Sequence, residues 1–132
     1  MSKDFLEYLG EIVEKKGVID EEIIKILDKA LKDGSEKVLL SIKRGITKYI
    51  YQPSQRVLWT SMGENKEHII YPKMYCSCND FYKQVVIKRT RPYCKHLITQ
   101  VICEVLNQFE TIKLEEKQFK DIIDDILLEL EF

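Results

Sequence analysis

Apolar positions recur every three or four residues through the first third of the chain. Phe5, Leu6, Leu9, Ile12 and Val13 make one stripe, which predicts a helix over 3–16, capped by Ser2 and closed by Gly17. A second stripe, Ile23, Ile24, Leu27, Ala30 and Leu31, follows Asp20, Glu21 and Glu22. Acids favour a helix start, and Gly34 is the expected stop. Residues 35–44 fit two patterns: Ser35 can cap a short helix, while Val38, Leu39 and Leu40 also suit a strand. The helix is the preferred reading.

From Ile46 the pattern changes. Segments 46–52 and 56–62 are rich in β-branched and aromatic residues and are split by Pro53, Ser54 and Gln55, the mark of a hairpin. A turn at Gly63–Lys66 leads to a third strand, His68–Tyr71. Helical spacing returns over 79–88 and 92–109. A last acidic helix is expected over 114–130, with Phe119, Ile122, Ile123, Ile126 and Leu127 on its face. The fold class that follows is α+β: a small antiparallel sheet of about three strands with several helices around it. No linker or repeat divides the 132 residues, so one domain is expected. It comprises a helical part over 1–45, a sheet with a cysteine-rich motif and a helix over 46–109, and a C-terminal helix over 110–132.

Four residues inside that middle part carry the chemistry. Cys76 and Cys78 are followed, after fifteen residues, by Cys94 and His96. In an extended segment, residues i and i+2 face one side, so the first two sulfurs can approach one ion from a strand end. Cys94 and His96 fall at the predicted first turn of a helix, where free N–H groups favour thiolate. Three sulfurs and one imidazole complete a tetrahedral shell for a single structural Zn2+ and leave no open position for a reacting water. Disulfides or plain buried cysteines are the alternatives. The deaminase signature of His-x-Glu with Pro-Cys-x-x-Cys is absent. Cys103 lies seven residues beyond His96, about 10 Å along a helix axis, too far to share the ion. His68 reads as structural or exposed.

Charge and composition narrow the function classes. The net charge is −1, yet residues 69–100 hold six bases (Lys73, Lys83, Lys88, Arg89, Arg91 and Lys95) against Asp80 alone. Residues 1–34 and 109–132 are acidic. Lys83, Lys88, Arg89, Arg91 and Lys95 are therefore candidate contacts to nucleic-acid phosphates, with Tyr75, Phe81, Tyr82 and Tyr93 available to stack bases. A solvated face or an acidic partner would use the same charges, and the overall pI near 6.2 disfavours a strong autonomous DNA binder. Trp59 is a candidate interface anchor, with a place in the core as the plainer reading. No apolar run reaches the ~20 residues of a membrane span, and no export signal precedes the first amphipathic stretch. An intracellular location is expected, cytoplasmic in a prokaryote and nuclear in a eukaryote. No nucleophile–base pair stands out, so neither catalysis nor a small-molecule substrate is expected.

Cys-x-Cys, a variable gap and Cys-x-His entering a helix resemble the SWIM zinc-binding domain. Tyr-Cys-Ser-Cys at 75–78, Cys-Lys-His-Leu at 94–97 and Lys-Gln-Phe-Lys-Asp-Ile at 117–122 further resemble the SWIM subunit of Shu-type recombination mediators. That resemblance assigns the zinc ligands to Cys76, Cys78, Cys94 and His96. It implies a non-catalytic subunit that pairs with a RecA-type recombinase paralogue and promotes recombinase filament assembly on single-stranded DNA. The chain has no G-x-x-x-x-G-K-[ST] phosphate loop, so ATP use would fall to the partner. A stand-alone nucleic-acid-binding zinc module and a protein-interaction adaptor are the competing readings.

Overall fold

The computed structural model describes residues 2–117 together with 123 and 124. Three α-helices open the chain: α1 (Ser2–Lys16), α2 (Glu21–Ala30) and α3 (Gly34–Arg44). Asp20 caps α2, its carboxylate accepting the Ile23 N–H at 3.0 Å, and Gly17 ends α1 at φ 72°, a left-handed conformation that costs glycine little. The ambiguous 35–44 segment is helical. Its start differs from the expected cap: Gly34 is the first helical residue, and Ser35 instead donates its N–H to Asp28 Oδ1. A Cβ at position 34 would collide with the Leu27 carbonyl, so only glycine lets α3 begin against the end of α2.

The sheet is larger than expected. Strands β1 (Ile46–Gln52), β2 (Arg56–Met62) and β3 (Glu67–Tyr71) form the antiparallel meander. A two-residue β4 (Tyr75–Cys76) extends one edge, and β5 (Glu110–Glu115) pairs parallel to β1 at the other. The order is β4-β3-β2-β1-β5, a mixed five-stranded sheet rather than three antiparallel strands. The helix expected from Leu114 is displaced at its start by β5. In that strand Ile112 and Leu114 alternate with Thr111, Lys113 and Glu115, the period of two that a strand requires. The described positions 116–117 and 123–124 are helical; Phe119, Ile122, Ile126 and Leu127 lie outside the described residues.

Between β4 and β5 lie a π-helix, Phe81–Ile87, and α4 (Lys95–Val105). Helix α4 is buried at every position from His96 to Cys103, the polar Thr99 and Gln100 included, so it is the central helix of the fold. It packs against α1 and α3 and contacts β1, β3 and β4. Gly10 permits the close α1 approach, since a Cβ there would sit 3.1 Å from Val101 Cγ1. One face of the sheet, with Ile46, Trp59, Ile70 and Cys76, joins this helical core. Trp59 is a core residue, edge-on to Phe109 at 5.0 Å. The other face gathers Tyr49, Tyr51, Leu58 and Ile69 against Ile112, Leu114 and Ile123. There Glu67 Oε2 accepts hydrogen bonds from Tyr49 Oη (2.9 Å) and Thr60 Oγ1 (2.7 Å).

Candidate metal centre

Each cluster residue is delivered by the local fold. Cys76 occupies β4, opposite Ile70 of β3. Cys78 follows two residues on, and Ser77 between them secures the step. The Ser77 N–H donates to Ile69 O (3.0 Å), and its Oγ accepts the Ile69 N–H (2.9 Å). A side-chain hydroxyl thus replaces a backbone carbonyl in the ladder and holds the Cys-Ser-Cys loop against β3. Cys94 is the N-cap of α4, and His96 stands in its first turn.

Cys76, Cys78, Cys94 and His96 are all buried, and their ligand atoms lie within 4.8 Å of one another. His96 Nδ1 is 3.6 Å from Cys76 Sγ and 4.0 Å from Cys94 Sγ. Around a tetrahedral zinc, bond lengths near 2.3 Å to sulfur and 2.1 Å to nitrogen give edges of about 3.5–3.8 Å. The donor set and its spacing therefore fit that ion. The Phe81 N–H donates to Cys78 Sγ at 3.3 Å, and the Leu97 N–H donates to Cys94, so backbone donors already offset part of the thiolate charge. Hydrogen bonds from the Cys76 and Cys94 sulfurs hold the Cys78 thiol far below its usual value. The contacts to Cys78 and Cys94 push Cys76 up, and burial pushes Cys94 up. Three sulfurs this close cannot all ionise without a counter-charge, and a divalent cation supplies it.

Cys103 is buried outside the cluster, its thiol pushed up to about 11 by burial. His68 is not among the ligands either. It stacks on His96 with ring centroids 4.8 Å apart, and burial, then the neighbouring His96, push its pKa down to about 4. Its ring belongs to the wall of the centre, a role that spacing along the chain does not signal.

The basic residues divide. Lys83, Lys88 and Arg89 are exposed on and just after the π-helix. Arg91 is committed to the protein: Nη2 donates to both Asp80 oxygens (3.0 and 2.9 Å) and Nη1 to Tyr93 O (2.6 Å). This fork ties the start of the π-helix to the segment entering Cys94. Lys95 lines a separate pocket with Arg91, and Lys73 lies in an acidic groove with Glu7, Glu11, Glu14 and Glu104. Among the aromatics, Tyr75 and Tyr82 are exposed, whereas Phe81 is buried and Tyr93 packs on Phe5. Tyr71, Met74, Val86 and Ile87 are also exposed; Val86 lies with Tyr75 and Tyr82 beside Cys76 and Cys78, and Tyr71 packs on Tyr75. Among the described residues, no helix is long and apolar enough to cross a membrane.

Comparison with known proteins agrees with this geometry. No family model and no solved structure matches the chain. Over 123 residues, 92% of this chain and 88% of the relative, it is 23% identical to zinc finger SWIM domain-containing protein 7 of Homo sapiens. Over 83 residues, 61% of this chain, it is 31% identical to the zinc finger SWIM domain-containing protein 7 homolog of Dictyostelium discoideum. The matched part spans 53% of that second protein. The chain is thus similar to proteins named for a SWIM zinc finger, and it brings three cysteines and one histidine together in one buried cluster.

Proposed function

We propose that this chain is a non-catalytic subunit, built on one structural zinc, that pairs with a RecA-type recombinase paralogue and promotes recombinase assembly on single-stranded DNA. The observation that carries the reading is a four-ligand cluster placed beside an exposed apolar surface. Tyr71, Met74, Tyr75, Tyr82, Val86 and Ile87 are each more than two-fifths exposed; Tyr75 on β4 and Tyr82 and Val86 on the π-helix share one surface depression with Cys76 and Cys78, and Tyr71 of β3 packs on Tyr75 at 5.9 Å. A closed shell holds structure rather than reacting groups, and an exposed apolar patch of this kind suits a protein partner. Tyrosine is among the residues enriched at interface hot spots. The similarity to SWIM zinc-finger proteins supports the metal part of this reading, and the resemblance to Shu-type subunits supports the partner.

Purification of the tagged chain from its native host is the test. A RecA-fold protein should co-elute near stoichiometry, and Tyr82→Asp with Val86→Asp should lose it while retaining zinc. Recovery without such a protein, under conditions that keep weak complexes, overturns the pairing. A second reading, a stand-alone nucleic-acid module, draws on exposed Lys83, Lys88 and Arg89 around Tyr82. It requires the isolated chain to bind single-stranded DNA at low salt, and binding must weaken when those three bases become alanine.

A further inference from the structure

We propose that the chain carries a phosphate-binding pocket where the corner between α2 and α3 meets the segment entering the metal centre. The space measures about 230 Å³ and is lined by Leu31, Lys32, Lys37, Asp80, Arg91 and Lys95. At about 30 Å³ per water, that is room for a tetrahedral anion with part of its hydration shell. The two sides come from distant parts of the chain and are fastened together: Tyr93 Oη donates to Ala30 O at 3.2 Å.

Charge sets the chemistry of the occupant. Four cations line the space with one carboxylate, and that carboxylate is already engaged by both Nη2 contacts of Arg91. Among the described residues, Lys32, Lys37 and Lys95 have no carboxylate partner. Like charges gathered in a concavity repel one another, and they focus a field that draws in an anion. The three ammonium groups stand on separate elements: the α2–α3 corner, the first turn of α3 and the first residue of α4. Donors from several directions match an anion with acceptor oxygens in several directions. A phosphate has that shape, whereas a planar carboxylate fits a single fork. Lys32 and Lys37 lie outside the basic segment, so only the folded chain brings them to Lys95.

The phosphate can belong to a single-stranded nucleic-acid backbone or to a free phosphorylated molecule. The first source rests on the function proposed above; the pocket itself does not. The test uses the zinc-loaded full chain, isotope-labelled, titrated at low ionic strength with inorganic phosphate and, separately, with oligothymidylate. Both probes should shift amide resonances of residues 31–37, 80, 91 and 93–95. Lys32→Gln with Lys37→Gln, both exposed, should abolish those shifts at unchanged zinc content and melting temperature. The salt slope of oligothymidylate affinity should fall by about 1.4, at about 0.7 for each single-strand phosphate no longer neutralised. A pocket that responds to oligothymidylate at the lower concentration identifies the backbone; the reverse order identifies a free phosphate compound. No pocket shift with either probe at millimolar concentration, or shifts and slope unchanged in the double variant, overturns the site. Co-elution of a RecA-fold partner does not depend on Lys32 or Lys37, so failure of the pocket and failure of the partnership give different results.

Discussion

Ser77 explains why a two-residue step between metal ligands needs more than two cysteines. Its hydroxyl accepts the Ile69 N–H, and its own N–H completes the pair with Ile69 O. Ser77→Ala would strand a buried donor at a cost of about 1–3 kcal/mol. We expect a lower melting temperature and faster zinc loss to a chelator, measured against the unaltered chain; unchanged zinc retention would show that the Cys-Ser-Cys loop is held by the ligands alone. The ligands themselves should behave as one unit. Cys76→Ser or His96→Ala should lose the metal and the protection of residues 75–100 against amide exchange together, because metal binding and local folding share one free energy. Cys103→Ala is the contrast: it trims a buried side chain outside the cluster, should cost about 1 kcal/mol, and should leave the zinc-to-protein ratio unchanged.

Elements with a single clear period are legible in the sequence alone. The stripes of α1 and α2 and the aromatic and β-branched runs of β1, β2 and β3 all fold where the pattern places them. Two elements are not legible in this way. The period-two segment Glu110–Glu115 is short and flows into a longer helical pattern, and its identity as a strand depends on β1 offering a parallel edge. The π-helix shares the apolar spacing of an α-helix, and only its wider hydrogen bonds, such as Lys88 N–H to Lys83 O at 2.9 Å, tell the two apart. The α2–α3 corner holds a sharper lesson. Gly34 reads as a helix stop in the sequence, but in the fold it is the residue whose missing side chain lets α3 start against Leu27. Gly34→Ala should therefore destabilise by more than about 2 kcal/mol through overpacking, whereas Gly17→Ala should cost about 1–2 kcal/mol, the strain of one left-handed residue. Urea unfolding of both variants checks the order; equal costs would mean that the corner opens freely.

For the whole molecule, the metal ligands are readable because each sits in a short local motif, while their supports are not. Asp80 beneath Arg91, His68 against His96, and Lys32 and Lys37 beside Lys95 are tertiary neighbours without a shared period or spacing. The same long-range wiring sets how far the loss of zinc should spread. The ligands join the sheet edge at β4 to the first turn of α4, and α4 is the buried helix on which α1 and α3 pack. Freeing the start of α4 thus removes the support of two further helices, whereas β1 and β2 keep their own antiparallel ladder and the parallel β5. Chelation should consequently lower amide protection in α4, α1 and α3 in one step with residues 75–100, and in β1–β2 only later. Acid should make release easier, because bound sulfur is thiolate and protons compete with the ion for it. Hydrogen exchange followed across a chelator series at two pH values tests both points. Protection lost from residues 75–95 alone, with α1, α3 and α4 unchanged, would mean that the zinc centre is a local clasp and that the helical core stands without it.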